Sequence, residues 1–139
     1  MDAMSGKGYQ TLLECRRRSR LLRERGFTID QIAIVLSLDH QVSPLRLYRY
    51  AAGLTASQTI SAYATLDPSR AAGLREARLY EYENWPDAGR RPPAHALYLL
   101  GRIYGTGPER LVPPSVLATY SAYDRQILNR VPSPSRSPR

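Results

Sequence analysis

The chain has 139 residues, 42% of them hydrophobic, which suits one folded domain with short tails. No apolar run approaches the length of a membrane span, and a single cysteine, Cys15, excludes an intramolecular disulfide and a cysteine-based metal cluster. The N-terminus carries no segment typical of a signal peptide, so we expect a cytoplasmic protein without membrane association.

The net charge of +8 and the pI of about 10.1 favour an anionic partner, nucleic acid above all. Nearly all of the cationic residues are arginine, and Lys7 is the one lysine. Arginine presents a planar fork that matches phosphate groups and guanine edges. GC-rich coding produces the same bias, so the inference depends on the charge rather than on the arginine content.

In chain order, apolar periodicity and capping signals predict a series of short helices. The first runs from about Tyr9 to Arg25 and stops at Gly26. Thr28 and Gln31 have the spacing of a capping box, which begins a second helix.

Ser43 followed by Pro44 predicts the start of a third helix, which Gly53 ends, and Thr55 caps a fourth. Four further helical stretches follow: "LREARLYEYENW", "PAHALYLLGRIYG", a short turn at "PERLV", and "SVLATYSAYDRQIL". No segment alternates like a strand. We therefore predict an all-α fold, a compact bundle of about six to seven short helices.

Catalytic chemistry finds little support in the chain. The two histidines, His40 and His95, stand apart and lie in no metal-ligand motif. Glu76, Glu81 and Glu83 are close in sequence, but no second acidic group elsewhere invites pairing. We expect neither an enzyme nor a bound metal or cofactor.

The segment from Ser43 to Val112 contains several short motifs whose order along the chain is informative. "LRLYRYAAGLT" places Arg49 four residues before Gly53, with Thr55 as the cap. Later signals are Leu79, the Tyr82-Glu83 pair, "GRRPP", "ALYLLGRIYG" and "PERLV". This order resembles the helix-turn-helix regulators of the Cro/repressor-like (XRE) family.

The resemblance implies a non-catalytic, sequence-specific regulator of the bacterial type, which binds double-stranded DNA as a homodimer. A helix around residues 74–85 would read the major groove. The division that follows is a flexible N-terminus (1–8), a helical extension (9–42), the helix-turn-helix domain (43–112), a C-terminal helix for packing or dimerisation (113–130) and a disordered tail (131–139).

The resemblance also assigns roles to individual residues. The predicted base-reading residues are Arg75, Glu76, Arg78 and Tyr80. The predicted phosphate contacts are Thr55, Ser57, Gln58, Arg90 and Arg91. Arg49 and Glu83 are expected to form a structural ion pair. Two features depart from the family pattern: Gln58 comes three residues after Thr55, and the connection from Asp67 to Gly73 is long.

Two alternatives stay open. In a rival register, residues 23–52 form the helix-turn-helix, and Arg46 and Arg49 read bases. In an alternative function, the fold is a scaffold for protein–protein interaction, and "LYEYENW" docks another regulator.

Overall fold

The computed structural model describes residues 6–67 and 73–129, with side chains from Gly8 onward. These residues contain no strand, which confirms the all-α prediction. Within the same ranges, no helix is long and apolar enough to cross a membrane. The helices are α1 (Gly6–Glu24), α2 (Ile29–Ser37), α3 (Pro44–Ala52), α4 (Ala56–Leu66), α5 (Glu76–Asn84), α6 (Ala94–Tyr104), the 3₁₀ helix η1 (Pro108–Leu111), α7 (Pro114–Leu117) and α8 (Ala122–Leu128).

Two matching capping boxes begin α2 and α4. The N–H of Gln31 donates to Thr28 Oγ1 over 3.2 Å, and the N–H of Thr28 donates to Gln31 Oε1 over 2.9 Å. Thr55 and Gln58 repeat this exchange with distances of 3.0 and 2.9 Å. The position of Gln58, a departure from the family pattern, therefore has a local cause: it completes the box at the third residue of the helix.

Helix α3 occupies the centre of the bundle. It packs against α1, α2, α5, α6 and η1, and most of its side chains are buried: Leu45, Leu47, Tyr48, Arg49, Tyr50 and Ala51. At its end Gly53 adopts a left-handed conformation with φ of +73°, where a side chain would be strained. The chain can therefore turn directly from α3 into α4.

The C-terminal region differs from the prediction. The single helix expected within 113–130 is two helices, because the helical backbone is interrupted over 118–121. Ser121 then caps α8 by accepting from the N–H of Asp124. Tyr120 and Leu128 are buried, and α8 packs on α6. This segment therefore closes the protein's own core.

The start of the first helix also differs from the prediction. Helix α1 begins at Gly6, so part of the expected flexible N-terminus is helical. The connection at 68–72, the residues before position 6 and the tail at 131–139 lie outside the described residues.

Candidate functional site

The expected pair of Arg49 and Glu83 is present and buried. Arg49 Nε donates to Glu83 Oε2 over 2.6 Å, and Nη2 donates to Oε1 over 3.0 Å. The two side chains are 3% and 0% exposed. Burial alone would lower the pKa of Arg49, but the hydrogen bonds and charge of Glu83 raise it above its ordinary value. The arginine is therefore a permanent cation inside the core.

The same guanidinium connects two helices of the proposed helix-turn-helix. While Nε and Nη2 hold Glu83 on α5, Nη1 donates to the carbonyl of Leu54 over 3.2 Å. Leu54 directly precedes Thr55, the N-cap of α4. One side chain of α3 thus fixes the start of α4 relative to α5.

Arg46 is a third member of this network that the sequence reasoning missed. Its Nε donates to Glu83 Oε1 over 3.0 Å, and its Nη2 donates to Asn84 Oδ1 over 3.0 Å. The signal was available, because Arg46 lies three residues before Arg49 and hence on the same side of α3. Two arginines therefore hold the C-terminal end of α5.

The N-terminal half of α5 faces solvent. Arg75, Glu76, Ala77 and Arg78 are consecutive exposed residues, whereas Leu79 and Tyr82 are buried. The helix begins at Glu76, because Arg75 has an extended backbone with φ of −115° and ψ of 160°. It ends at Asn84, before the extended Trp85 that precedes Pro86. The predicted reading helix of 74–85 is thus one or two residues shorter at each end.

Tyr80 does not have the outward orientation that was expected of a base-reading residue. Its hydroxyl is shielded from solvent and has no hydrogen-bond partner among the described residues, and the centroid of its ring lies 6.0 Å from the guanidinium carbon of Arg49. Burial raises the pKa of Tyr80. The ring of Tyr80 therefore lies toward the buried ion pair, at the outer limit of a cation–π contact with Arg49.

Glu81 gathers two of the predicted DNA-contacting arginines. Arg78 Nε lies 2.8 Å from Glu81 Oε1, and Arg90 Nε lies 3.7 Å from the same oxygen. Arg78 and Glu81 are each 43% exposed in their side chains. An exposed pair of this kind contributes at most about 1 kcal/mol. Either arginine can therefore exchange Glu81 for a phosphate or a base at little cost.

Arg91 is held between two aromatic rings. Its guanidinium carbon lies 3.9 Å from the centroid of Tyr120 and 5.7 Å from that of Trp85. The hydroxyl of Tyr120 donates to the carbonyl of Pro92 over 2.7 Å, which fixes the ring. Arg91 also interacts through its N–H groups with the hydroxyl of Tyr120, and because the residue is exposed, the remaining N–H groups are available to an anion. Tyr120 lies far along the chain, and no sequence signal pointed to it.

The loop before Arg90 is pressed against α5. A Cβ on Gly89 would clash with the carbonyl oxygen of Glu81, and the N–H of Arg90 donates to that oxygen over 3.1 Å. Gly89 also has a φ of +77°. Only glycine fits this close approach, so the backbone of Arg90 is held against α5.

The N-terminal end of α4 retains part of its hydrogen-bonding capacity. The capping box uses the N–H groups of Thr55 and Gln58, and it leaves those of Ala56 and Ser57 in the first turn without an intrahelical acceptor. The side chains of Ser57 and Gln58 are exposed. This end of the helix suits an anion, with fewer free donors than the sequence implied.

The structure contradicts the rival register. Arg49 is 2% exposed and bound to Glu83, and Arg46 is turned toward Glu83 and Asn84. Neither side chain extends freely into solvent. Most side chains of α3 are buried, which does not suit the reading helix of a helix-turn-helix at residues 23–52.

The "LYEYENW" stretch does not form one exposed surface. Leu79, Tyr82 and Glu83 are buried, and Glu81 is paired with arginine. Across the described residues, no group of three or more His, Cys, Asp or Glu side chains is arranged to hold a metal ion.

Comparison of the chain with protein-family models, with curated proteins and with solved structures finds no match.

Proposed function

We propose that the protein is a sequence-specific regulator that binds double-stranded DNA through α4, α5 and the loop after α5. One observation carries this proposal: the buried pair of Arg49 and Glu83 joins α4 to α5 and leaves the first turn of α5 exposed. A reading helix needs this arrangement, with one side packed inward and polar side chains outward.

Arg75, Glu76 and Arg78 are the base-reading residues in this proposal. Arginine binds guanine through two hydrogen bonds, and glutamate accepts from the amino group of cytosine. Arg75 has no ion partner among the described residues, and Arg78 has only the exposed Glu81. Tyr80 is left out, since its hydroxyl is covered.

Arg90, Arg91 and the end of α4 at Ser57 and Gln58 supply the phosphate contacts. Phosphate contacts set the position on the duplex and the salt dependence of binding, while base contacts select the sequence. Because Arg91 already stacks on Tyr120, its side chain loses less conformational entropy when it binds a phosphate.

The test begins with duplexes selected by the purified protein from genomic fragments. We expect Arg75→Ala combined with Arg78→Ala to weaken binding to the selected site by about thirtyfold, since each base contact contributes about 1 kcal/mol or more. Arg25→Ala combined with Arg102→Ala is the matched control, because it removes the same charge from exposed positions outside α5. Equal losses in the two double variants, or the absence of any selected sequence, would refute the proposal.

Binding as a homodimer is part of the proposal, because one small module gives limited specificity. The C-terminal segment packs on the protein's own core through Tyr120 and Leu128, while its outer side, with Tyr123, stays exposed and is the candidate pairing surface. Light scattering at binding concentrations should give twice the chain mass, and footprints should be palindromic. A monomeric mass with an asymmetric footprint would limit the proposal to single-site binding.

A further inference from the structure

Three arginines of α1 gather around the C-terminal end of α3. Arg16, Arg20 and Arg23 are separated by four and three residues, which places them on one side of the helix. We call this set the α1 arginine row. The row, with Ser19, Glu24, Ala52 and Gly53, lines a surface hollow of about 330 Å³.

Backbone carbonyls at the end of α3 fix two members of the row. Arg16 Nε donates to the carbonyl of Gly53 over 2.9 Å, and Arg23 Nη2 donates to that of Ala51 over 3.1 Å. The carbonyl end of a helix carries a partial negative charge that favours such contacts. Each guanidinium has five N–H donors, so most of them remain available.

Arg20 lies between these two fixed side chains. It is exposed, and its side chain forms no hydrogen bond or ion pair with another described residue. Among the described residues, Glu24 is the one acid that lines the hollow, and Arg18 pairs with Asp39 away from the row. The hollow therefore has a surplus of positive charge that the described part of the protein does not neutralise.

The row adjoins the proposed phosphate contact of α4. Arg16 holds Gly53, Arg49 holds Leu54, and Thr55 then caps α4. The hollow is thus two residues from the end of α4 that was assigned to the DNA backbone.

We propose that the α1 arginine row is a second phosphate-binding site, which contacts the DNA backbone beyond the N-terminal end of α4. This inference rests on the proposed function and extends the contact surface to a helix outside the helix-turn-helix. Arg20 is the principal ligand of the phosphate group, while Arg16 and Arg23 shape the hollow and add to its field.

The test compares Arg20→Ala with Arg25→Ala in the full chain. Arg25 is exposed in the turn that follows α1, where it lines a separate hollow with Arg18, Leu21 and Leu22. Affinity for the selected duplex is measured between 50 and 300 mM salt, about the range in which phosphate contacts dominate. Arg20→Ala should reduce the slope of log affinity against log salt by about 0.9, the value for one lost phosphate contact. Arg25→Ala should leave it unchanged.

Arg20→Lys keeps the charge and should restore most of the slope, which separates phosphate binding from a packing defect. If Arg20→Ala and Arg25→Ala behave alike while the Arg75 and Arg78 double variant still loses binding, the row is not a phosphate site and the proposed function survives. If the unaltered protein shows no salt-dependent binding to duplex DNA, the row and the proposed function both fail.

Discussion

Glu83 is the acid on which the position of α5 depends. Its carboxylate is fully buried and accepts hydrogen bonds from both Arg46 and Arg49. Removing one partner of a buried pair leaves an uncompensated charge, which is more costly than never having built the pair. The energetic role of Glu83 therefore differs sharply from that of Glu81, which forms its ion pairs at the surface.

We expect Glu83→Gln to lower the free energy of unfolding by about 3 to 5 kcal/mol, because Arg49 would remain charged inside the core. Urea denaturation followed by circular dichroism measures this loss. Glu81→Gln serves as the control and should change stability by no more than about 0.5 kcal/mol.

Replacing the whole pair should be less harmful than breaking it. Arg49→Leu with Glu83→Leu removes both buried charges and leaves Arg46, which is 22% exposed in its side chain, free to turn to solvent. A Glu83→Gln variant as stable as the Glu81→Gln control would contradict the assigned role of the pair.

At the scale of helices, the starts and ends that depend on neighbouring residues can be predicted from the sequence. The boxes at Thr28 and Thr55, the proline start of α3 and the glycine stop at Gly53 involve residues within a few positions of one another. Ser121 carries the same kind of local cap, but the apolar spacing on either side of it favoured one continuous helix. The start of α8 therefore has a local capping signal, which the helical periodicity around it obscures.

Contacts between distant segments could not be read in this way. The pair of Arg49 and Glu83 was expected only because of the family resemblance. The inward turn of Tyr80 and the stacking of Arg91 on Tyr120 depend on packing that brings separate helices together. Helical periodicity indicates the face of the helix on which a side chain lies. It does not indicate which residues of neighbouring helices pack against that face.

The two capping boxes provide a matched experiment on α4. Thr28→Ala and Thr55→Ala remove the same hydroxyl from the same motif, so each should cost about 1 kcal/mol of stability. Only the end of α4 is proposed to contact phosphate. We therefore expect Thr55→Ala to weaken DNA binding by about fivefold, because the loss of the cap, about 1 kcal/mol, loosens the first turn that positions Ser57 and Gln58, and Thr28→Ala to leave it unchanged.

Unfolding curves establish that the two substitutions cost similar stability, and titrations of the selected duplex measure the affinities. Equal DNA affinity in the two variants would show that the end of α4 does not contact the duplex.

Across the whole molecule, buried tyrosines are distributed over most of the bundle. Burial raises the pKa of six tyrosines: Tyr48, Tyr50, Tyr63, Tyr80, Tyr104 and Tyr120. They belong to α3, α4, α5, α6 and the segment before α8. Because the sequence contains a single lysine, its alkaline titration is dominated by tyrosine.

Two of these tyrosines determine the pH range in which we expect the free energy of unfolding to fall. Burial and the hydrogen bond to Asp30 raise the pKa of Tyr48 to about 12, and burial and the charge of Asp67 raise that of Tyr63 to about 12. In the unfolded chain a tyrosine titrates near pH 10. Their contribution to stability is complete below about pH 10, and it is lost as the pH rises toward about 12 because the unfolded chain releases its protons first.

We therefore expect the free energy of unfolding to fall steeply between about pH 10 and 12, by no more than about 2.7 kcal/mol for each of these two tyrosines. Burial also raises the pKa of Cys15 to about 11, which adds to the loss.

Tyr48→Phe should make this decline in stability shallower, because the tyrosine hydroxyl, 2.6 Å from Asp30 Oδ1, is then absent and no longer titrates. Tyr123→Phe alters a side chain that is 71% exposed and should leave the profile unchanged. Denaturation at successive pH values, with tyrosinate absorbance recorded in parallel, measures both effects. A free energy of unfolding that stays constant to pH 12 would mean that the hydroxyls of Tyr48 and Tyr63 do not titrate from a buried state. Equal pH profiles of stability for Tyr48→Phe and Tyr123→Phe would mean the same for Tyr48.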